Sequence, residues 1–248
     1  MKLQLPLLKN YKVSKGTLFL IPTFLGDTLV NEVLPDKVVK TVEKLNYFIV
    51  ENEKTARRYI KKICPNKNQS DFVIFQLDKH NPSSHLQEFI QPLLNHHDVG
   101  LLSEAGLPAV ADPGNLIVHS AHQKNISVKP LTGPSSLMLA LMASGLNGQK
   151  FSFEGYLPKD ASKLKHQIKF LEKRSLKEDK AIICIETPYR NQKLFDFFLN
   201  NLQSETLLTV ATDLTLPTEF IKTLPIKIWK NYSPDLHKRP SVFIFQAR

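Results

Sequence analysis

Gly100-Leu-Leu-Ser-Glu-Ala-Gly-Leu-Pro-Ala-Val-Ala-Asp-Pro-Gly114 carries the pattern that decides how this 248-residue chain folds. An apolar strand ends at Ser103, a compact turn follows through Gly106 and Pro108, and Asp112-Pro113-Gly114 starts a helix containing Leu116, Ile117 and Val118. Small residues at the carboxyl end of a parallel strand let a ligand approach the backbone, and open α/β sheets bind their ligands there. Such a turn suits a nucleotide-like cofactor, although ordinary turn chemistry before a proline-initiated helix uses the same residues. A companion stretch, Leu131-Thr-Gly-Pro-Ser-Ser-Leu137, repeats the arrangement of strand end, Gly-Pro turn and helix start. A helix N-terminus offers amide donors to a carboxylate or hydroxyl, and capping by Thr132 or Ser135 is an equally natural role.

Working outward, short β-branched and aromatic runs recur at Thr17 to Ile21, Tyr47 to Val50, Phe72 to Leu77, Val99 to Leu102 and Ser127 to Leu131. Between them lie helical spacings such as Val38-Val39-Val42-Leu45, Ala56-Tyr59-Ile60-Ile63 and Leu86-Phe89-Ile90-Leu93. Continuous apolar strands alternating with helices predict a mostly parallel sheet covered on both faces. After Gly133 the alternation restarts with a helix at Pro134 to Ser144, a strand at Phe151 to Phe153 and a charged helix from Asp160 to about Ser175. A strand at Ala181 to Ile185 and a helix near Asn191 to Leu202 follow, and then strands at Leu207 to Ala211, Ile226 to Trp229 and Ser241 to Phe245. The expected architecture is α/β in two domains, 1–131 and 132–248; one large sheet is the alternative.

Hydrophobic residues make up 42% of the chain and charged residues 23%, enough for a proper core. Cys64 and Cys184 form neither a CxxC nor a Cys/His ligand spacing, so no disulfide framework or metal site is expected. The segment Met1 to Lys15 mixes Lys2, Lys9, Lys12 and Lys15 with a short apolar run, and no stretch reaches the about 18 apolar residues of a spanning helix. A cytoplasmic protein with no membrane partner is expected. Thirty-three Lys and Arg against 23 Asp and Glu leave a net charge of +10, which favours polyanionic partners. Phosphate loops of the GxxxxGK type, HExxH zinc helices, GxSxG nucleophile elbows and GxGxxG dinucleotide turns are all absent. His96-His97 reads as a solvated or capping pair, and Cys184 as a small buried apolar residue.

The two turns belong to an ordered series: SEAGLPAVADPG, LTGPSSLMLALMASGL, FSFEGYLPKD, IETPYR and ATDLT. In that order they resemble the ribosomal RNA small subunit methyltransferase I family of the tetrapyrrole-methylase superfamily, over Gly16 almost to the C-terminus. The resemblance implies two α/β domains of the tetrapyrrole methylase type with S-adenosylmethionine in the cleft between them, and a homodimer. It places Ser103, Glu104, Ala105, Gly106 and Pro108 in the first domain's cofactor turn, and Ser135 and Ser136 at the domain junction. Ile185, Glu186, Thr187 and Pro188 match the turn beside the adenosine, with Ala211 and Thr212 on the neighbouring strand end.

Three stretches depart from the family pattern. The loop Thr23-Phe-Leu-Gly-Asp-Thr28 is shorter than the Gly-Asn-containing turn of typical members, which leaves Pro22, Leu25, Gly26 and Asp27 as matched contacts. Glu51-Asn-Glu-Lys-Thr-Ala-Arg57 keeps part of a Glu-Asp-Thr-Arg motif, and His80-Asn81 keeps the end of a His-Glu-His-Asn motif. These changes fall on the side that relatives use for substrate.

Methyl transfer to a ribose hydroxyl requires alignment and a proton acceptor, because the hydroxyl is a weak nucleophile at neutral pH. Glu51, Asp27 and Glu186 are the candidate acids for proton handling and Arg190 the candidate orienting group, while Glu186 and Arg190 also suit a structural pair at a helix start. Lys54, Arg57, Arg58, Lys61, Lys62 and Lys67 form one basic cluster. Lys159, Lys163, Lys165, Lys169, Lys173, Arg174, Lys177 and Lys180 form a second, and either could grip phosphates. The expected partner is ribosomal RNA or the small ribosomal subunit, methylated by family analogy on a cytidine ribose. A tetrapyrrole or other small metabolite as acceptor, and a non-catalytic RNA-binding relative, are the alternatives.

Overall fold

The computed structural model describes residues 14–78 and 85–248. Lys2, Lys9, Lys12, His80 and Asn81 lie outside the described residues. The chain runs through β1 (Thr17–Ile21), α1 (Val30–Val33), α2 (Asp36–Lys44), β2 (Tyr47–Val50), α3 (Glu53–Ile63), β3 (Val73–Gln76) and α4 (Leu86–Leu94). It continues with β4 (Val99–Leu102), α5 (Asn115–Gln123), β5 (Ser127–Pro130), α6 (Ser136–Ser144), β6 (Phe151–Tyr156) and α7 (Ala161–Glu178). The remainder is β7 (Ala181–Ile185), α8 (Asn191–Asn201), β8 (Leu207–Thr212), β9 (Phe220–Pro225), α9 (Ile226–Trp229) and β10 (Ser241–Gln246).

The chain divides into two compact units. One runs to Pro22 and resumes over Pro35–Thr132; the other joins Thr23–Leu34 to Gly133–Arg248. The sequence-based division at 131/132 assigns residues 23–34 to the first unit, whereas they cluster with the second. Leu25 explains this locally, because it packs against the apolar cluster of Leu137, Ala211, Leu214 and Val242.

In the first unit the strand order is β3-β2-β4-β1-β5, and every pairing is parallel. Side chains alternate across the pleat. Leu18, Ile49 and Leu101 meet Phe89, Ile90 and Leu93 of α4 and Ile117 and Ala121 of α5. On the opposite face α2 buries Val38 and Val42, and α3 buries Ala56, Tyr59, Ile60 and Ile63. Each such aliphatic or aromatic side chain contributes about 1.5–3 kcal/mol on full burial. Gly100 sits under this second layer, where an added Cβ would lie 2.5 Å from Ile21 Cδ1 and 2.9 Å from Phe48 Cδ1.

The second unit departs from the parallel expectation. Its order is β6-β7-β10-β8-β9, and only β6 and β7 are parallel; β10 runs antiparallel to β7 and β8, and β8 antiparallel to β9. Antiparallel neighbours need no crossover helix, and the short 213–219 connection, with Asp213 and Thr215 at positive φ, turns β8 directly into β9. The run Ile226 to Trp229 is helix rather than strand, and the strand of this region is β9, just before it. Four apolar residues do not distinguish the two periods. Here Ile226 and Trp229, three apart, are fully buried while Ile228 is exposed, and Trp229 Nε1 donates to Leu208 O at 2.8 Å.

β10 shows how one strand serves two layers. Phe243 and Phe245 enter the core under α7 and α8 with Leu164, Ile168, Leu171, Phe195 and Phe198. Val242 and Ile244 face Leu137, Ala140 and Leu141 of α6. Cys184 is fully buried, and that burial pushes its thiol well above the ordinary range. As expected, it behaves as a small apolar residue.

Candidate functional site

In the first unit the candidate residues gather at the carboxyl ends of β1, β2 and β4. Ser103 is buried directly after β4 and its Oγ donates to Gly106 O at 3.2 Å, drawing the turn closed. Gly106 occupies the left-handed region at φ 76°, open to glycine without a Cβ penalty. Ala109 at φ 65° and Ala111 at φ 62° adopt the same region without glycine's freedom, a conformation that costs about 1–2 kcal/mol per residue. Asp112 holds them. Its Oδ1 accepts from Ala109 N at 2.9 Å and from Gly114 N at 2.7 Å.

This clasp revises the expectation that Asp112 starts the following helix, since α5 begins at Asn115 with Gly114 as its cap and no side-chain capping bond. Burial raises the Asp112 carboxyl above its usual value; the backbone bonds from Gly114 and Ala109 oppose that shift and the nearby Glu51 charge adds to it. Glu51 Oε1 also accepts from Glu104 N at 3.4 Å, and the Glu104 side chain accepts from Thr55 Oγ1 at 2.8 Å. Asn52 caps α3 by accepting from Thr55 N at 3.1 Å. Thus Glu51 and Ser103 to Asp112 form one connected strand-end assembly. Ala105 is exposed and Pro108 buried. Pro22 is buried too, and its carbonyl accepts from Tyr59 Oη at 2.6 Å, so a tyrosine read only as core fixes the exit of β1.

The second unit collects another set. Ser135 caps α6, accepting from Met138 N at 3.4 Å, and Ser136 opens the helix. Leu25, Leu137, Ala211 and partly buried Ile185 share one apolar cluster. Gly26 lies against Leu216, whose Cδ2 would be 2.7 Å from an added Cβ, and Asp27 is exposed. Glu186 is buried and pairs with Arg190 at 3.2 Å while accepting from Thr187 N at 2.7 Å. Arg190 therefore orients Glu186, the structural role anticipated beside the catalytic one. Thr187 is exposed, and the Pro188 carbonyl accepts from Lys238 N at 3.2 Å. Thr212 Oγ1 and Ser241 Oγ lie 2.8 Å apart.

Sequence reasoning missed the brace beside these residues. Asp213 is buried after β8 and its Oδ2 accepts from Arg239 Nε and Thr218 Oγ1, each at 2.8 Å. An acid following an apolar strand was a visible signal; its arginine, distant along the chain, was not. Among the described residues no group of His, Cys, Asp and Glu is arranged to hold a metal ion.

No family model matches the chain. It is 29% identical over 219 residues to the ribosomal RNA small subunit methyltransferase I of Vibrio cholerae, covering 88% of this chain and 72% of that protein. Bacterial proteins of the same name from Buchnera aphidicola to Bacillus subtilis match at 24–30% identity. Over most of its length the chain is similar to bacterial proteins that bear the name ribosomal RNA small subunit methyltransferase I.

Among solved structures, diphthine synthase aligns with a TM-score of 0.65 at 13% identity, covering 93% of this chain and 89% of that one. Uroporphyrin-III-C-methyltransferase of Thermus thermophilus aligns at 0.54 and 15% identity, covering 93% and 92%. These likenesses show the fold, that of the tetrapyrrole methylases. The matched relatives and the structural neighbours are methyltransferases by name, and on that agreement the protein is an S-adenosylmethionine-dependent methyltransferase. The residues present fit that group. Thr28 Oγ1 and Thr215 Oγ1 in the second unit are buried with no protein partner, which leaves two hydroxyls for a polar ligand.

Proposed function

We propose that the protein methylates small-subunit ribosomal RNA on the 2′-hydroxyl of a cytidine ribose. The observation that carries this reading is the similarity over 88% of the chain to a protein named for that class of acceptor. Charge supports it. On α7, Lys163, Lys165, Lys169, Lys173 and Lys177 are all exposed, with Phe170 among them, whereas Arg174 is drawn into pairs with Glu154 and Glu178. The α3 cluster is more committed to structure: Arg57 pairs with Glu53 and lies over Phe72, and Lys61 and Lys67 donate to backbone carbonyls.

When bound, S-adenosylmethionine supplies an electrophilic methyl group on a sulfonium sulfur. In this proposal the backbone of Ser103 to Gly106, held by Asp112, binds one part of it. Pro22, Leu25, Gly26, the α6 N-terminus at Ser135 and Ser136, Ile185 to Pro188, and Ala211 with Thr212 bind the rest. Proton handling falls to Asp27, Glu51 and Glu186, and Arg190 orients. A fixed carboxylate within reach of a hydroxyl contributes about 10²–10⁴-fold by general base catalysis. The same reading carries a cytoplasmic homodimer.

Calorimetry is expected to show S-adenosylmethionine binding; no measurable affinity sinks the enzyme reading as a whole. Ribose-methylation mapping of ribosomal RNA from cells with and without the protein is expected to lose a small-subunit cytidine signal, and an unchanged map rejects this acceptor. Reversing the charge at Lys163, Lys165 and Lys169 should weaken RNA affinity and flatten its salt dependence by about 0.7–0.9 for each phosphate no longer neutralised. If neither changes, α7 does not face the RNA.

A further inference from the structure

A second feature of the first unit lies away from the strand-end turns. Phe19, Lys37, Lys40, Thr41, Lys44, Leu45 and Asp98 enclose a concavity of about 380 Å³ beside α2. Lys37, Lys40 and Lys44 recur at i, i+3 and i+7, which puts them on one helix face, while Val38 and Val42 face the core. The row spans about 10 Å at 1.5 Å per residue. All three lysines are exposed, and among the described residues none forms an ion pair. Like charges at this spacing weaken a helix unless an anion lies across them. The one acid lining the groove, Asp98, is occupied: its Oδ1 accepts from Thr17 N at 2.6 Å.

Phe19 gives the groove an aromatic lining, and a further cation lies against that ring outside the lining itself. β5 is an edge strand, Lys129 sits beside Phe19 in its register with β1, and its ammonium lies 5.8 Å from the Phe19 ring centroid. A row of cations beside an aromatic face is the usual form of a groove that tracks a nucleic-acid backbone. Direction matters as well. α2 ends just before β2 begins and Asp98 just precedes β4, so Lys44 and Asp98 mark the edge where the strands start. Lys37, one helix length away, lies toward the edge that carries Ser103 to Gly114. The groove thus runs along the strands toward the candidate site rather than belonging to it.

We propose that this groove binds the phosphodiester backbone of the RNA acceptor as it approaches the strand-end turns; the proposal rests on the ribosomal RNA reading above. The test uses the full chain as wild type, as the triple variant Lys37→Gln, Lys40→Gln, Lys44→Gln, and as the matching triple arginine variant. Binding of a labelled small-subunit ribosomal RNA fragment is measured by anisotropy from low to moderate salt, with S-adenosylmethionine affinity and thermal midpoint recorded alongside.

The glutamine variant is expected to lose about 10- to 100-fold in RNA affinity near 0.1 M salt and about 2 from the salt slope, at about 0.7 per neutralised phosphate on a single strand. The arginine variant should keep both. Cofactor affinity should stay within about twofold and the midpoint should not fall, since the substitutions remove like-charge repulsion. A glutamine variant that binds RNA with wild-type affinity and slope overturns the proposal. So does a variant impaired only toward anionic phosphatidylserine vesicles, which would assign the groove to a lipid surface. A wild-type protein that shows no salt-dependent RNA binding overturns the RNA reading first, and the groove's role with it.

Discussion

Replacing Asp112 with alanine is expected to lower S-adenosylmethionine affinity at least about tenfold and to cost about 1–3 kcal/mol of stability. The carboxylate holds Ala109 N and Gly114 N, and between them Ala109 and Ala111 sit in the left-handed region. Without the clasp two amides lose their acceptor and the strained backbone loses what opposes its relaxation. Asp112→Asn should do less harm, because one amide oxygen can serve both donors. Calorimetry and urea unfolding check the pair; equal, small effects in both variants would mean that the turn holds its shape without Asp112.

The acid side of the stability curve gives an independent check. Asp112 is raised, chiefly by burial. Its proton is therefore held more tightly folded than unfolded, and the associated stability is full below the unfolded value and lost as pH rises through the folded one. Asp112→Asn, uncharged at every pH, is expected to erase that decline, so its stability relative to wild type should rise as pH goes from the acid range to neutrality. A variant that keeps the decline would place its origin in another carboxyl group.

A larger stability loss is expected from Gly16→Ala, about 3 kcal/mol or more. An added Cβ would lie 1.9 Å from His97 O and 2.4 Å from its carbonyl carbon, and both belong to backbone that cannot step aside as a side-chain tip can. Gly16 N also donates to Leu93 O at 2.9 Å, so the clash falls where β1 enters between its neighbours. Urea denaturation at neutral pH measures it, and a loss below about 1 kcal/mol would mean that the entry yields more easily than the close approach implies. Gly26 is the useful contrast. Its nearest obstacle is the flexible Leu216 side chain, so Gly26→Ala should be milder.

The first unit was legible because its inner strands are short apolar runs between turn residues and its helices show apolar faces, while the edge strand β5, Ser127–Pro130, has a single apolar residue besides its proline. The second was harder. Phe220 to Pro225 carries a lysine, a threonine and a proline that blur its alternation, and Ile226 to Trp229 is too short to reveal its period. Antiparallel pairing of β10 between β7 and β8 is a long-range property that no local pattern announces. At the candidate site, the turns around Ser103 and Ser135 could be located from small residues following apolar runs. Their internal wiring could not. The bond from Tyr59 Oη to Pro22 O joins residues 37 apart, and the Asp213–Arg239 pair joins residues 26 apart. A sequence shows which groups are available for such bonds and leaves their partners to tertiary structure.

The grouping of Thr23–Leu34 with Gly133–Arg248 bears on how the protein is made. During synthesis Leu25 leaves the ribosome long before Leu137, Ala211 and Val242, the residues it packs against. The second unit therefore cannot close until the far end of the chain is free, whereas the parallel sheet of the first has all its strands by Pro130. Translation that halts after residue 132 would leave Leu25 and its neighbours without their docking surface, as bait for chaperones. In the finished protein the same early segment is built into the unit that is made last.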